Sequence, residues 1–299
     1  MRKVLLICAL ILGGLFLTLS VLDNNGQYVA ERNLWKITKK YERIVRNPQE
    51  TPTAEYDKIF KEFERFSLRF PNSNLKPLSK ILSGRVYVTK GDYKKARIIF
   101  ESIVKDYSKE PEIAVQAIAE IGQSYGDQKD WENVLRMYDR ILQEYPLTDI
   151  GLQTPLMIAK FYESRGDLAG VDKSYRDAII HYKKIVNSHS NTLHHYNALR
   201  LIASCYIATK EWFNAVTTLG DILDQFPDVL KSNVDQMDKI IKTINTISIV
   251  QLKDYNLPKK IYMKFLQENP DHPFKIIIEK MLNGLNLLNK ERVIIEEKK

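Results

Sequence analysis

The sequence has few of the residues that cross-link a chain or interrupt helices. Its 299 residues include only two cysteines, 12 glycines and 11 prolines. Cys8 lies in an apolar N-terminal stretch and Cys205 in a helical segment with apolar neighbours, so we expect no disulfide and interpret Cys205 as a small buried residue. Few breakers among many helix formers predict an all-α chain.

Motifs that carry enzyme or cofactor chemistry are also missing. The sequence contains no GxGxxG, Walker loop, HExxH, CxxC or nucleophile elbow. The histidines at 189, 194 and 195 have Ser and Asn beside them, rather than Cys, Asp or Glu, and this favours a polar linker over a metal site. We therefore predict a protein that is not an enzyme, with no cofactor and no metal.

The charge of the chain is only mildly biased. Its formal net charge is +8, from 45 basic and 37 acidic residues, and no block of Arg and Lys alternates with aromatic residues. This pattern is typical of solvated helix faces rather than of a nucleic-acid interface. We therefore expect no nucleic-acid partner. Because 44% of the residues are hydrophobic, a folded chain is expected.

The long apolar run of the sequence stands at its beginning. Residues 4–22 form 19 uncharged apolar positions after Arg2 and Lys3, which predicts a signal anchor or signal peptide over residues 1–24. Retention as a membrane helix is the preferred interpretation, since Thr18 and Ser20 occupy the positions where a signal peptidase site favours alanine. The alternative is cleavage after Ser20.

A second pattern is an internal repeat. The string GDYKKARIIFESIVKDY at 91–107 returns in altered form at 130–146 and 211–227. Aligned on positions 96, 134 and 215, the strings share a small residue twelve positions before and a tyrosine nine positions before. These signature residues are Gly84, Tyr87, Ala96 and Phe100, then Gly122, Tyr125, Val134, Tyr138 and Pro146, then Ala203, Tyr206, Ala215 and Pro227.

Each class of signature residue has a physical role in a pair of antiparallel helices. Small residues allow the helix axes to approach to about 8–10 Å. The tyrosines fill the wedge between one hairpin and the next. Gly91 suits a left-handed helix cap, and proline prevents continuation of the second helix. The pattern therefore predicts a series of helical hairpins.

The other units depart from this pattern in predictable ways. Helices are expected at about 28–46 and 53–70, and the second helix of the fourth unit is seven residues longer, which preserves its apolar face. Residues 25–232 are assigned to the repeats, and 233–299 to a degenerate repeat and a capping helix. The capping helix, 273–290, is expected to bury the face of Phe274, Ile277, Met281, Leu285 and Leu288.

The order of small residue, tyrosine, small residue, aromatic residue and proline resembles the tetratricopeptide repeat over about residues 28–290. The resemblance implies a helical-hairpin solenoid, a right-handed superhelix, that binds partner proteins without catalysis. The linkers FPNSN and YPLTD resemble those of the bacterial envelope branch, which includes lipoproteins of outer-membrane barrel assembly and the periplasmic coordinator of the Tol–Pal system. A single-pass protein of the bacterial inner membrane is therefore expected, with its body in the periplasm or extracytoplasmic space.

In such an array the first helix of each hairpin lines a concave groove. Steps of three or four along these helices predict a polar, net-basic surface that suits an extended peptide or an acidic helix. The predicted groove residues are Arg85, Gln116, Gln123, Lys160, Asn197 and Arg200. Amphipathic helices expose one polar face in any case, so a solvated face without a partner is an equal alternative.

The function predicted from these features is a scaffold of the cell envelope that docks a partner protein or peptide, in envelope assembly or maintenance. One alternative is an accessory subunit that binds peptidoglycan or an anionic polysaccharide, which requires aromatic residues exposed in the groove. Another is an enzyme on a helical-repeat frame, which requires clustered carboxylates or histidines. If Ser20 is a cleavage site, the body would be soluble in the periplasm.

Overall fold

The computed structural model describes residues 26–297, with side chains described through residue 288. Every regular element within this range is a helix, so the predicted all-α class of helical hairpins is confirmed. No helix in the described range is long and apolar enough to span a membrane. The predicted leader, 1–24, lies outside the described residues.

The chain divides into two compact units between Gly151 and Leu152. The helices of the first unit pack in chain order, each against the next. Their bounds are α1 (Gln27–Arg46), α2 (Thr53–Arg69), α3 (Lys76–Lys90), α4 (Tyr93–Asp106), α5 (Pro111–Asp127) and α6 (Trp131–Glu144). The helices predicted at 28–46 and 53–70 are thus confirmed as α1 and α2.

The second unit begins within α7 (Asp149–Glu163) and centres on α10, which contacts helices before and after it. Its further elements are α8 (Leu168–Ser188), α9 (Leu193–Ala208), α10 (Trp212–Gln225), α11 (Pro227–Lys231), α12 (Val234–Thr246), a π-helix (Ile247–Gln251), α13 (Asn256–Glu268) and α14 (Lys275–Glu297). The predicted domain limits at 24 and 232 and the superhelical shape stay predictions.

A turn of two residues, Gly91 and Asp92, joins α3 to α4. Gly91 has φ +81°, and the side chain of Asp92 accepts a hydrogen bond from the Lys95 backbone N–H at 3.1 Å. The left-handed residue ends α3 and the carboxylate caps α4, so the chain reverses at once. The corresponding left-handed residues later in the chain are Lys129, Gly166 and Lys210, and an acidic residue follows each.

Small residues lie where paired helices approach most closely. A Cβ atom built on Gly84 would stand 2.8 Å from Cζ and 2.9 Å from Cδ1 of Phe100, and one on Gly122 would stand 3.3 Å from Cβ of Met137. The residue in closest contact with Gly84 is therefore Phe100, one turn after Ala96. The other small and apolar signature residues Ala96, Val134, Ala203 and Ala215 are buried.

The signature tyrosines lie between successive hairpins. Tyr87 is 2% exposed, its hydroxyl donates to Asp57 at 3.3 Å, and its ring contacts Phe60 of α2 and lies 4.0 Å from Nζ of Lys95. Tyr125 packs under Arg97 and Tyr206 near Lys183, while burial raises the pKa of the Tyr138 hydroxyl. The helices end before the signature prolines, at Glu144 before Pro146 and at Gln225 before Pro227.

The fourth predicted repeat contains the long helix that the sequence predicts. Helix α8 has 21 residues, whereas α4, α6 and α10 have 14 each. Its buried residues include Ala178, Tyr182 and Ile185, and the Tyr182 hydroxyl donates to the Leu152 carbonyl at 2.7 Å. The extra turns extend the helix without moving its packed face.

His272 fixes the segment before α14. The ring is 3% exposed, accepts a hydrogen bond at Nδ1 from the Phe274 backbone N–H, and donates from Nε2 to the Pro227 carbonyl, both at 3.2 Å. It also packs edge-on against Phe265, with ring centroids 5.0 Å apart. Because one nitrogen accepts and the other donates, the geometry selects the neutral Nε2–H tautomer.

The buried face of α14 differs from the prediction at Ile277 and Leu288. Phe274, Ile278 and Leu285 are buried, whereas Ile277 is 42% and Leu288 is also 42% exposed. Positions 274, 278, 281 and 285 are spaced by four, three and four residues, so they form one stripe that Ile277 borders. The prediction that Ile277 and Leu288 lie on the buried face is therefore wrong.

Candidate partner-binding surfaces

In the first unit the first helices of successive hairpins lie side by side. Helix α1 contacts α3, where the hydroxyls of Tyr41 and Thr89 are 2.9 Å apart, and α3 contacts α5. Arg85 of α3 and Gln116 and Gln123 of α5 belong to this row of helices. Three of the six predicted groove residues therefore lie on neighbouring helices.

Arg85 is not the free cation that the sequence suggests. Its Nε lies 3.0 Å from both carboxylate oxygens of Glu120 on α5, and its Nη2 also donates to that carboxylate. The hydrogen bonds to Glu120 raise the pKa of the Arg85 guanidinium. The Glu120 side chain is 14% exposed and that of Arg85 42%, so the pair is partly shielded from water.

The two glutamines add polarity to this face but no positive charge. Gln123 is exposed, and its amide donates to the Asp127 carboxylate at 2.9 Å, while Gln116 is half-buried. With Arg85 paired to Glu120, and Asp127 next to Gln123, the surface is neutral to acidic. Arg85, Gln116 and Gln123 therefore do not by themselves give this face a net positive charge.

Glu120 could have been found from helical spacing. Positions 116, 120, 123 and 127 of α5 follow steps of four, three and four and share one face. The predicted groove residues include Gln116 and Gln123 of this face but not Glu120. A carboxylate opposite an arginine on the neighbouring helix is visible only once the two helices are placed side by side.

We expect reversal of Arg85 to destabilise the first unit. Arg85→Glu would place a second carboxylate beside Glu120 and lower the free energy of unfolding by about 1–2 kcal/mol, allowing for partial exposure. Denaturant unfolding measures the loss, and Arg136→Glu, at an exposed position of α6, is the matched control. The charge-swapped pair Arg85→Glu/Glu120→Arg should recover stability; a swap no better than Arg85→Glu would contradict the pairing.

The remaining groove residues lie in the second unit and have a different environment. Lys160 is exposed on α7, and Asn197 and Arg200 lie one turn apart on α9. The Arg200 guanidinium lies 5.6 Å from the ring centroid of Tyr196. Within residues 26–288, neither Lys160 nor Arg200 forms an ion pair with a carboxylate. Their charges are therefore available to a partner.

A surface groove between α8, α9 and α10 was not predicted. It encloses about 350 Å³, with Leu199 and Ile202 at its floor and Lys183, Asn187 and Asn214 among its lining residues. Amide side chains can both donate to and accept from a peptide backbone. No periodicity in the sequence indicates this groove, because it depends on the separation of two second helices, α8 and α10.

Asp221 lines the same groove and carries a perturbed carboxyl group. Burial raises its pKa, and the neighbouring Asp224 carboxylate raises it further. Asp224 itself accepts a hydrogen bond from Nζ of Lys264 on α13 at 2.8 Å. The groove thus has a cation, Lys183, and a carboxylate, Asp221, among its lining residues, so it suits a polar segment of mixed charge.

His195 and Cys205, two of the residues that the sequence singles out, are buried and serve packing. His195 is 6% exposed, accepts a hydrogen bond at Nδ1 from the Asn191 N–H, and packs edge-on against Phe226; burial lowers its pKa. Burial raises the pKa of the Cys205 thiol to about 12, so thiolate chemistry is disfavoured there. In the described range, no three His, Cys, Asp or Glu side chains converge as a metal site would require.

Comparison with known proteins identifies one repeat directly. Residues 197–228, which include α9 and α10, match the tetratricopeptide repeat family model. No curated protein matches the chain. Two solved structures are similar: the TPR2AB-domain:pHSP90-complex of yeast Sti1, at 12% identity, TM-score 0.33 and coverage of 87% of this chain and 100% of that one, and a tetratricopeptide repeat protein from Parabacteroides merdae, at 12%, 0.34, 87% and 99%.

Proposed function

We propose that this chain, in which residues 197–228 match the tetratricopeptide repeat family model, is a non-enzymatic scaffold that docks a partner protein or peptide. Such repeats generally mediate protein–protein interactions. The observation that carries the proposal is the exposed face of α9, where Asn197 and Arg200 lie one turn apart within the matched repeat and the guanidinium has no carboxylate partner among residues 26–288.

The chemistry of this face suits an acidic segment of a partner. A free guanidinium binds a carboxylate with two parallel hydrogen bonds, and the Asn197 amide offers a donor and an acceptor to an extended backbone. Lys160 on α7 adds a second unpaired cation to the unit. Arg85 is excluded from this role because Glu120 already satisfies it.

We also propose that the scaffold belongs to the bacterial cell envelope. The support is the apolar run 4–22 after Arg2 and Lys3, which has the length and flank of a signal anchor. In this arrangement the chain is a single-pass protein of the inner membrane, and its repeats face the periplasm. A role in envelope assembly or maintenance follows from that location.

The packing of the signature tyrosines supports the proposal of a protein partner rather than a glycan. Glycan recognition requires aromatic rings exposed on the binding face, whereas Tyr87 is 2% exposed and Tyr125 packs against Arg97. His195 and Cys205 are likewise committed to packing, which leaves them unsuited to an enzyme mechanism.

The test is a double charge reversal in the second unit. Full-length Lys160→Glu/Arg200→Glu is expected to lose a partner that the wild type captures from solubilised envelopes, and to bind the purified partner at least about tenfold more weakly, since each charge-assisted hydrogen bond contributes about 1.5–3 kcal/mol. The thermal midpoint should stay unchanged. Binding would be followed by titration of the purified partner.

The matched control is Lys239→Glu/Lys260→Glu, which makes the same change of charge at exposed positions of α12 and α13. This variant should bind as the wild type does. Equal weakening in both double variants would mean that net charge alone governs capture. Undiminished capture by Lys160→Glu/Arg200→Glu would reject the α9 face as the docking surface.

A further inference from the structure

Helix α1 exposes a stripe of aromatic and basic side chains. Tyr28 is 66% and Trp35 is 60% exposed, two turns apart on the same face. Four basic residues continue this face at steps of three or four, and all are exposed. The members of the stripe are Tyr28, Arg32, Trp35, Lys39, Arg43 and Arg46.

The stripe lies opposite the packed face of α1. Ala30, Leu34, Tyr41 and Ile44 are buried and belong to the core that α1 shares with α2 and α3. The hydrophobic core of the first unit therefore forms without any side chain of the stripe. The rings of Tyr28 and Trp35 nevertheless remain exposed to water, which is characteristic of an interaction surface.

The charge of α1 indicates what that partner is. The helix has six basic residues and two acidic ones, Glu31 and Glu42. Lys39 pairs with Glu42 at 2.8 Å and Lys40 with Glu62 at 2.8 Å. Within residues 26–288, no ion pair involves Arg32, Arg43 or Arg46. Their guanidinium groups are therefore available to bind anions beside the two exposed rings.

The position of α1 in the chain favours lipid anions. Four residues separate Leu22, the end of the apolar run, from Gln27, the start of α1, so five Cα–Cα steps join the two. A fully extended chain spans at most about 3.6 Å per step, so these five steps reach about 18 Å. If residues 4–22 occupy a bilayer, α1 therefore begins within about two Debye lengths of the headgroups.

We propose that the exposed stripe of α1 lies on an anionic membrane surface, with Tyr28 and Trp35 at the headgroup level and the guanidinium groups on lipid phosphates. This inference rests on the membrane attachment proposed above. Tyr and Trp favour the membrane–water interface because each combines an apolar ring with a polar atom. Basic residues on the same face are attracted to anionic lipids.

The test uses the full chain in vesicles with Trp35 as the reporter. The sequence has three tryptophans, so Trp131→Phe/Trp212→Phe leaves Trp35 alone. In phosphatidylcholine vesicles that contain phosphatidylglycerol, Trp35 emission should shift to shorter wavelength and be quenched by lipids brominated near the headgroup. Quenching should be several-fold weaker in phosphatidylcholine alone.

A matched control reports on the rest of the first unit. Trp35→Phe/Trp212→Phe leaves Trp131, which is 39% exposed on α6, and its quenching should be weak in both lipids. Arg32→Glu/Arg43→Glu/Arg46→Glu in the Trp35 background should abolish the quenching while the protein still floats with vesicles.

Flotation and quenching separate the two proposals. If the chain does not float with vesicles, the membrane attachment is wrong, and the inference for α1 falls with it. If the chain floats but Trp35 is quenched no more than Trp131, the inference alone is overturned. Shielding of Trp35 only after addition of an acidic envelope protein would overturn it in favour of a protein partner.

Discussion

Gly84→Ala is expected to lower the free energy of unfolding by about 1–3 kcal/mol, although alanine is the better helix former. The new methyl group would overlap the Phe100 ring, standing 2.8 Å from Cζ and 2.9 Å from Cδ1. Phe100 is fully buried in the core of the first unit and has no free space into which to move. Urea unfolding followed by circular dichroism measures the loss.

The cause can be isolated with a second substitution and a control. Phe100→Leu replaces the ring with a smaller side chain, so Gly84→Ala should cost less in that background, which is a favourable coupling between the two positions. Gly284→Ala adds a methyl group that meets nothing within 4 Å, and it should leave stability equal or higher. A loss for Gly84→Ala that Phe100→Leu does not relieve would mean that the two residues do not meet.

His272→Ala is expected to destabilise the second unit by about 3 kcal/mol. The substitution removes a buried ring that packs against Phe265 and leaves the Phe274 N–H and the Pro227 carbonyl without their hydrogen-bond partners. The lost contacts are those that fix the segment before α14. Denaturant unfolding gives the total, and hydrogen exchange should show faster exchange in the first turns of α14.

The control for this prediction is His194→Ala. His194 is half-buried and contacts the ring of His189, so its removal should change stability by less than about 0.5 kcal/mol. Asparagine at position 272 is a second variant, because its amide can donate or accept without filling the ring's volume. Stability of His272→Ala equal to that of the wild type would show that the three contacts are not important for the fold.

Local rules explain why so much of the fold could be predicted from the sequence. The residue types at Gly84, Tyr87, Ala96 and Phe100 recur in register because the two helices of each hairpin pack in the same way. The spacing of one hairpin therefore predicts the next. Gly91 could be interpreted as a helix cap from its position alone. The face of α14 was misjudged at Ile277, since steps of three and of four are both allowed along a helix.

The site was harder to predict because it depends on which helices become neighbours. The sequence suggests that Arg85 is an unpaired cation, but in the structure it forms an ion pair with Glu120 on the adjacent helix. Lys160 and Arg200 keep theirs because no carboxylate among residues 26–288 pairs with them. The groove that Asn187 and Asn214 line depends on the gap between α8 and α10, which no local pattern specifies.

The length of α8 has a consequence for how such chains change size. Seven residues turn a helix through almost two full revolutions, so side chains beyond the insertion return to within about 20° of their former direction. An insertion of five residues would leave them about 140° out of phase, with Tyr182 and Ile185 directed away from the core. Hairpins of this kind can therefore vary in length by about seven residues while the interior of the neighbouring hairpin is conserved.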